Sequence, residues 1–200
     1  GTHADLLIID HYALDYMWEN MLRPHTDKIM VIDDLAARTH DCDWLLDMTE
    51  GRQMDDYRHK VPCNCQFLLG ARYALLRPQF AKYRVASLEK REKQRPVKRI
   101  LVSMGGSDPV DATSWVLRGI EQANVDAKID VVIGVQAQHI KHIQAQISKM
   151  KSQVRLLSQV ENMAELMIQA DLAIGAGGTT SWERCCLGLP TIILVTEDNQ

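Results

Sequence analysis

Residues 97–109 read VKRILVSMGGSDP, in which Ile100, Leu101 and Val102 lead into Gly105, Gly106 and Ser107 and then into Asp108 and Pro109. A short apolar run of this kind reads as a buried strand. Glycines at its carboxyl end let backbone N–H groups approach an anion, and a helix starting there adds partial positive charge. Residues 171–195, DLAIGAGGTTSWERCCLGLPTIILV, repeat the order strand, glycine loop, helix, strand. Outward from these two stretches, Ile/Val/Leu runs alternate with segments of helical period. That alternation predicts parallel strands joined by crossover helices, and the fold class is α/β.

The strands expected are Leu6 to Ile9, Ile29 to Ile32, Trp44 to Leu46 and Phe67 to Leu69 in the first half. In the second they are Arg99 to Met104, Ile129 to Ile133, Val154 to Leu157, Leu172 to Ile174 and Thr191 to Val195. Between the halves, residues 84–96 (RVASLEKREKQRP) carry a charge run with only Val85 and Leu88 as large apolar residues. This places a first domain at 1–84, a linker at 85–96 and a second domain at 97–200, the linker being compatible with a helix that begins near Phe80. In the second half, Asp108 before Pro109 reads as an N-cap followed by proline at the first helical position. Ile140, Ile143, Ile147 and Met150 form one buried helical stripe, with His139 and His142 at its edge. A strand almost at the start and an apolar strand at the end give the expectation of a fragment, since a parallel strand needs both its faces covered.

Composition narrows the function classes. The 200 residues are 46% apolar and 24% charged, with 11 Gly and 6 Pro, which excludes disorder, collagen and coiled coil. With 23 Lys and Arg against 26 Asp and Glu the net charge is -3, so there is no general basic field for nucleic acid or an anionic membrane. Neither is an expected partner, and an anionic ligand must be met by a local site. No apolar run approaches the ~20 residues that span a bilayer, and no secretion leader is visible, so the expected location is cytoplasmic. The five cysteines, Cys42, Cys63, Cys65, Cys185 and Cys186, read as reduced thiols. No metal or other cofactor is expected.

Three groups of residues are candidates for chemistry. Gly105, Gly106 and Ser107 form one candidate anion cradle, though they lack the lysine of a P-loop and the spacing of a dinucleotide fold. Gly177, Gly178, Thr179, Thr180 and Ser181 offer amides and hydroxyls at a second helix start. Glu183 follows, read either as a carboxylate for ribose hydroxyls or as the far end of a Thr180–Glu183 capping box. Two glycine loops in one domain suggest a nucleotide diphosphate held between them. In the first half, Asp10, His11 and Tyr12 lie just past a strand, where open α/β sheets place their ligand crevice. The alternative is that Asp10 or a neighbour merely caps the next helix. Asp33 and Asp34 close the next strand and read equally as solvated turn acids. His40, Asp41, Cys42 and Asp43 look like a metal cluster, but adjacent positions point in different directions, which favours a loop with a buried Cys42.

Five ordered blocks carry a resemblance: IIDHYALDYMWE (8–19), VIDDLAARTHDCDWLLD (31–47), LLGARYALLRPQF (68–80), ILVSMGGSDP (100–109) and GAGGTTSWERCCLGLP (175–190). Together they resemble the UDP-sugar hydrolases of pseudaminic acid biosynthesis, which act on UDP-2,4-diacetamido-2,4,6-trideoxy-β-L-altropyranose and are similar to MurG-type glycosyltransferases. The resemblance implies the GT-B architecture, two Rossmann-like domains facing across a cleft. It implies that the second domain binds UDP through the Gly105 and Gly106 loop and the Gly177 to Glu183 segment, with Glu183 on the ribose. The first domain would contribute Tyr12, His11 and Asp10, and Asn199 and Gln200 would touch the donor sugar. The implied reaction is inverting attack of water at the anomeric carbon, releasing the sugar and UDP. UDP leaves readily once amides and helix ends stabilise its charge, so no glycosidase-like acid pair is required.

In that family the general-base histidine belongs to a glycine-rich G-x-G-H segment, and these 200 residues contain no such segment. His3 lies before the first strand, ~17 Å from its ligand end at ~3.3 Å per residue. The expectation is a monomer that keeps nucleotide-site residues but shows little hydrolase activity as 200 residues. A MurG-like UDP-sugar transferase and a non-catalytic nucleotide-sugar-binding module are the alternatives. An NAD-dependent enzyme is disfavoured by the loop spacing.

Overall fold

The computed structural model describes residues 3–93, 96–135 and 137–196. The chain divides into two compact units, Gly1–Leu75 and Leu76–Gln200.

The first unit is a four-stranded parallel sheet in sequential order: β1 (Ala4–Ile9), β2 (Thr26–Ile32), β3 (Trp44–Asp47) and β4 (Gln66–Leu69). Its core is Ile9, Ile29, Val31, Leu45 and Tyr57, closed by Cys42 and Cys65. Helix α1 (Tyr16–Leu22) crosses from β1 to β2. Asp15, not Asp10, caps it, its carboxylate accepting from the Met17 N–H at 3.0 Å. On β1 the alternate residues Leu6 and Ile8 are exposed.

The second unit holds five parallel strands, β5 (Arg99–Ser103), β6 (Lys128–Ile133), β7 (Val154–Ser158), β8 (Leu172–Ala176) and β9 (Thr191–Leu194), in the order β7-β6-β5-β8-β9. Both faces are covered over the central strands, as a parallel sheet requires. Ile100, Val102, Val131 and Ile133 pack with Val116, Leu117 and Ile143 of α3 (Ala112–Gln122) and α4 (Ile140–Ile147) on one face. Leu101, Val132 and Ala173 face Phe80 of α2 (Pro78–Glu92) and Met167 of α5 (Met163–Gln169) on the other. Helix α6 (Thr179–Cys186) joins β8 to β9. On β9, Ile192 and Ile193 are half exposed.

All nine expected strands form, each within three residues of its expected start and two of its expected end. The division between units falls at Leu75/Leu76 rather than within 85–96, and residues 78–92 are one helix fixed to the second unit. The charge run is the reason. Lys90 donates to the carbonyls of Ile168, Gln169 and Ala170 and lies 3.1 Å from Asp171. Arg91 donates to the carbonyls of Met167, Ala170 and Leu187, and Ser87 donates to Leu187 at 2.7 Å. Cations are thereby used on carbonyls at the ends of α5 and α6, where the helix dipole favours positive charge. Charged hydrogen bonds are worth ~1.5–3 kcal/mol each, so Arg91→Ala is expected to lower unfolding stability by at least ~2 kcal/mol in a urea titration.

The start of α3 also differs from expectation. Asp108 and Asp111 take left-handed backbone conformations (φ 40° and 55°), forming a tight turn that delays the helix to Ala112. The buried Asp108 carboxylate still caps it, accepting from Ala112 N–H at 2.8 Å and Thr113 N–H at 3.0 Å. Pro109 lies in the turn, not at the first helical position.

Candidate nucleotide and sugar sites

In the second unit the strand order runs outward from β5 to β6 and β7 on one side and through β8 to β9 on the other, so the order reverses between β5 and β8. Open α/β sheets open their ligand crevice at such a reversal, beyond the carboxyl ends of the strands. Both glycine loops leave from there, because β5 and β8 pair in parallel with Ser103 opposite Gly175. Gly105 (φ 87°) and Gly178 (φ 93°) have backbone conformations that side chains other than glycine rarely adopt. Gly105, Gly106, Ser107, Gly178 and Thr179 are exposed, and Gly177, Thr180 and Ser181 are half-buried. Gly178 is the N-cap of α6, so the N–H groups of Thr179 and Thr180 have no acceptor within the helix.

Two glycines that the sequence reading passed over support these loops. A Cβ on Gly134, just past β6, would stand 1.9 Å from the Gly106 carbonyl oxygen. A Cβ on Gly175 would stand 2.2 Å from an Arg184 nitrogen and 2.8 Å from the Ser103 carbonyl oxygen. The available signal was the one used for Gly105, a glycine closing an apolar run.

Glu183 lies in the second turn of α6 and takes no part in a capping box; the helix start has no side-chain cap at all. Its carboxylate lies 3.6 Å from Arg77, which precedes α2, and its side chain is 14% exposed. Burial raises the Glu183 carboxyl above its ordinary value, with Arg77 and Arg184 opposing. Arg77 has no signal in the sequence, since its partner lies a hundred residues on.

In the first unit, Tyr12 and Asp34 meet at the carboxyl ends of β1 and β2. The Tyr12 hydroxyl lies 3.1 Å from each Asp34 carboxylate oxygen, and the ring is 61% exposed. The hydrogen bond to Asp34 raises the phenol above its ordinary value, which keeps it a proton donor. Arg38 fixes this loop, donating to the carbonyls of His11, Tyr12 and Leu14 and to the buried Asp33. Asp33 is therefore no solvated turn acid: it also accepts from Ala36 N–H and the Tyr57 hydroxyl. His11 Nδ1 accepts from the Ala13 N–H, so that nitrogen is engaged in its own turn, and Asp10 is exposed.

The cluster at 40–43 is held by ion pairs and buried contacts. His40 Nδ1 sits 2.7 Å from Glu19, while Asp41 and Asp43 grip Arg23. Cys42 is buried with its Sγ 3.6 Å from that of Cys65. His3 pairs with Asp27 at the opposite, amino end of the sheet. His142 lies 2.7 Å from Asp111, and His139 3.3 Å from the Pro109 carbonyl. Asn199 and Gln200 lie outside the described residues.

Two parallel sheets with alternating helices, the second doubly wound with two glycine loops at its order reversal, define an α/β protein of the GT-B class. The fold is that of the crystal structure of Acinetobacter baumannii MurG, with a TM-score of 0.59 at 12% identity over 98% of this chain and 53% of that one. Residues 100–200 match the glycosyltransferase family 28 C-terminal domain, and the chain belongs to that family. It is 30% identical over 171 residues (85% of the chain, 58% of the relative) to the UDP-2,4-diacetamido-2,4,6-trideoxy-beta-L-altropyranose hydrolase of Campylobacter jejuni. It is 33% identical over 142 residues (70% and 40%) to the spore coat polysaccharide biosynthesis protein SpsG of Bacillus subtilis. An uncharacterized Methanocaldococcus jannaschii protein, MJ1062, is 27% identical over 201 residues (98% and 41%). The chain thus spans about half the length of the relatives it matches. No helix among the described residues is long and apolar enough to cross a membrane.

Proposed function

We propose that this chain is part of an enzyme that hydrolyses UDP-2,4-diacetamido-2,4,6-trideoxy-β-L-altropyranose to the free sugar and UDP, with inversion at the anomeric carbon. The observation that carries the nucleotide half of this reading is the Ser103–Gly175 register, which brings two glycine loops to neighbouring strand ends at the sheet's order reversal. In this reading the amides of Gly105, Gly106, Ser107, Gly177, Gly178, Thr179 and Thr180, with the Ser181 hydroxyl, receive the diphosphate. Preorganised N–H groups of this kind stabilise the charge that develops on the departing UDP. Glu183 takes the ribose hydroxyls. Tyr12, with Asp10 and His11 beside it in the sequence, is the first unit's candidate for the sugar. The 30% identity to the Campylobacter jejuni hydrolase supports water as acceptor.

The family match and the MurG fold favour a second reading, transfer of the sugar to another molecule. Product analysis of the full-length protein separates the two. Hydrolysis predicts free sugar and UDP in equal amounts with no acceptor added. No turnover until an acceptor is supplied would contradict it and support transfer. In the same assay Tyr12→Phe is expected to reduce kcat by ~10-fold or more with little change in UDP affinity, the scale of a hydrogen bond made mainly in the transition state.

A further inference from the structure

Arg184 is 3% exposed, yet no carboxylate lies within ion-pair distance of it among the described residues. Its two hydrogen bonds leave from a single nitrogen, Nη2, to the Ala176 carbonyl at 2.7 Å and the Ser181 hydroxyl at 3.0 Å. The buried Nε has no partner. The guanidinium is seated where a Gly175 side chain would stand, beside the Ser103 carbonyl, at the point from which both glycine loops depart. Arginine does not relieve its burial by losing its proton at ordinary pH. A buried cation held only by neutral acceptors is costly unless a charge of opposite sign completes it. Glu183, its neighbour in sequence, lies 3.6 Å from Arg77 and acts on Arg184 only through its field, with no hydrogen bond between them.

We propose that Arg184 is a positioning residue whose charge is completed by the diphosphate of a bound nucleoside diphosphate. It would hold the Ala176–Ser181 segment in its anion-receiving shape from below and supply the positive field that the glycine amides only partly provide. The inference rests on the nucleotide reading of the two loops. It goes further by assigning the preference for a diphosphate over a bare nucleoside to one side chain that the sequence does not single out. Both bonds leave from Nη2 alone, so a lysine at this position keeps the charge and one donor nitrogen but loses the planar guanidinium seated against Gly175.

The test compares UDP with uridine by titration calorimetry on the full-length protein. In the native protein UDP binds more tightly than uridine, and the ratio of the two affinities is the readout. Arg184→Gln is expected to shrink that ratio at least tenfold while leaving uridine affinity within about twofold, and Arg184→Lys to recover part of the ratio. A purely structural arginine would lower both affinities together or neither, and an unchanged ratio in Arg184→Gln overturns the inference. If the glutamine variant does not fold, nitrogen-15 arginine spectra of the native protein serve instead. The Arg184 Nε–H signal, identified by its loss in Arg184→Lys, should shift on adding UDP or inorganic pyrophosphate and stay fixed with uridine. A signal unmoved by saturating UDP overturns the inference as well. Should the native protein fail to prefer UDP to uridine, the nucleotide reading itself falls, an outcome distinct from either of these.

Discussion

Replacing Glu183 by glutamine is expected to weaken UDP binding by ~1–3 kcal/mol, the range for losing hydrogen bonds to a charged acceptor, without lowering thermal stability. The two effects part company because of where the carboxylate sits. Burial raises its pKa, so the folded protein resists its ionisation, and Arg77 at 3.6 Å only partly offsets this. A carboxyl raised in the folded state contributes stability in full below its unfolded value of 4.5, and that contribution is lost as pH rises through the folded value. At neutral pH the glutamine variant carries no such handicap, and its melting temperature should equal or exceed that of the native protein. UDP affinity of the native protein should in turn fall as pH drops through the raised Glu183 value, because ribose hydroxyls then lose an ionised acceptor. The glutamine variant should lack that dependence. Unchanged affinity in the variant would remove Glu183 from the site.

Gly134→Ala is expected to damage the same site from behind. The added methyl would stand 1.9 Å from the Gly106 carbonyl oxygen and 2.8 Å from its carbonyl carbon, both backbone atoms that cannot rotate aside. The loop at 105–107 must move, at a cost of ~1–3 kcal/mol for overpacking, and its amides move with it. UDP affinity should drop at least ~10-fold, equivalent to about 1.4 kcal/mol. Gly119→Ala is the control. Gly119 lies within α3 with nothing inside 4 Å of its would-be Cβ, so alanine there should be neutral or stabilise by ~0.5–1 kcal/mol and leave binding unchanged. Equal effects at the two positions would show that the Gly106 contact has no bearing on the ligand.

These residues also mark how far the sequence could be read. Strands were legible because strands buried on both faces are nearly continuous Ile, Val and Leu, as Ile100 to Val102 and Val131 to Ile133 show. The sheet order was not, since nothing in a run of apolar residues says that β8 lies beside β5. Helix starts failed wherever the backbone made a detour: the left-handed turns at Asp108 and Asp111 moved α3 three residues beyond its proline. Charge was misread where its partners are carbonyls distant in sequence, as with Lys90 and Arg91 on α5 and the end of α6. The glycine loops were visible as spacing. Gly134, Arg77 and Arg184 were not, because each acquires its meaning from a contact made only in the folded unit.

Titration of the full-length protein with UDP, with uridine as reference, tests the central claim most directly. The paired glycine loops predict one UDP bound per chain, more tightly than uridine, with the difference reduced by Gly134→Ala. Absence of UDP binding by folded protein, or binding that does not distinguish UDP from uridine, would contradict a diphosphate site between β5 and β8.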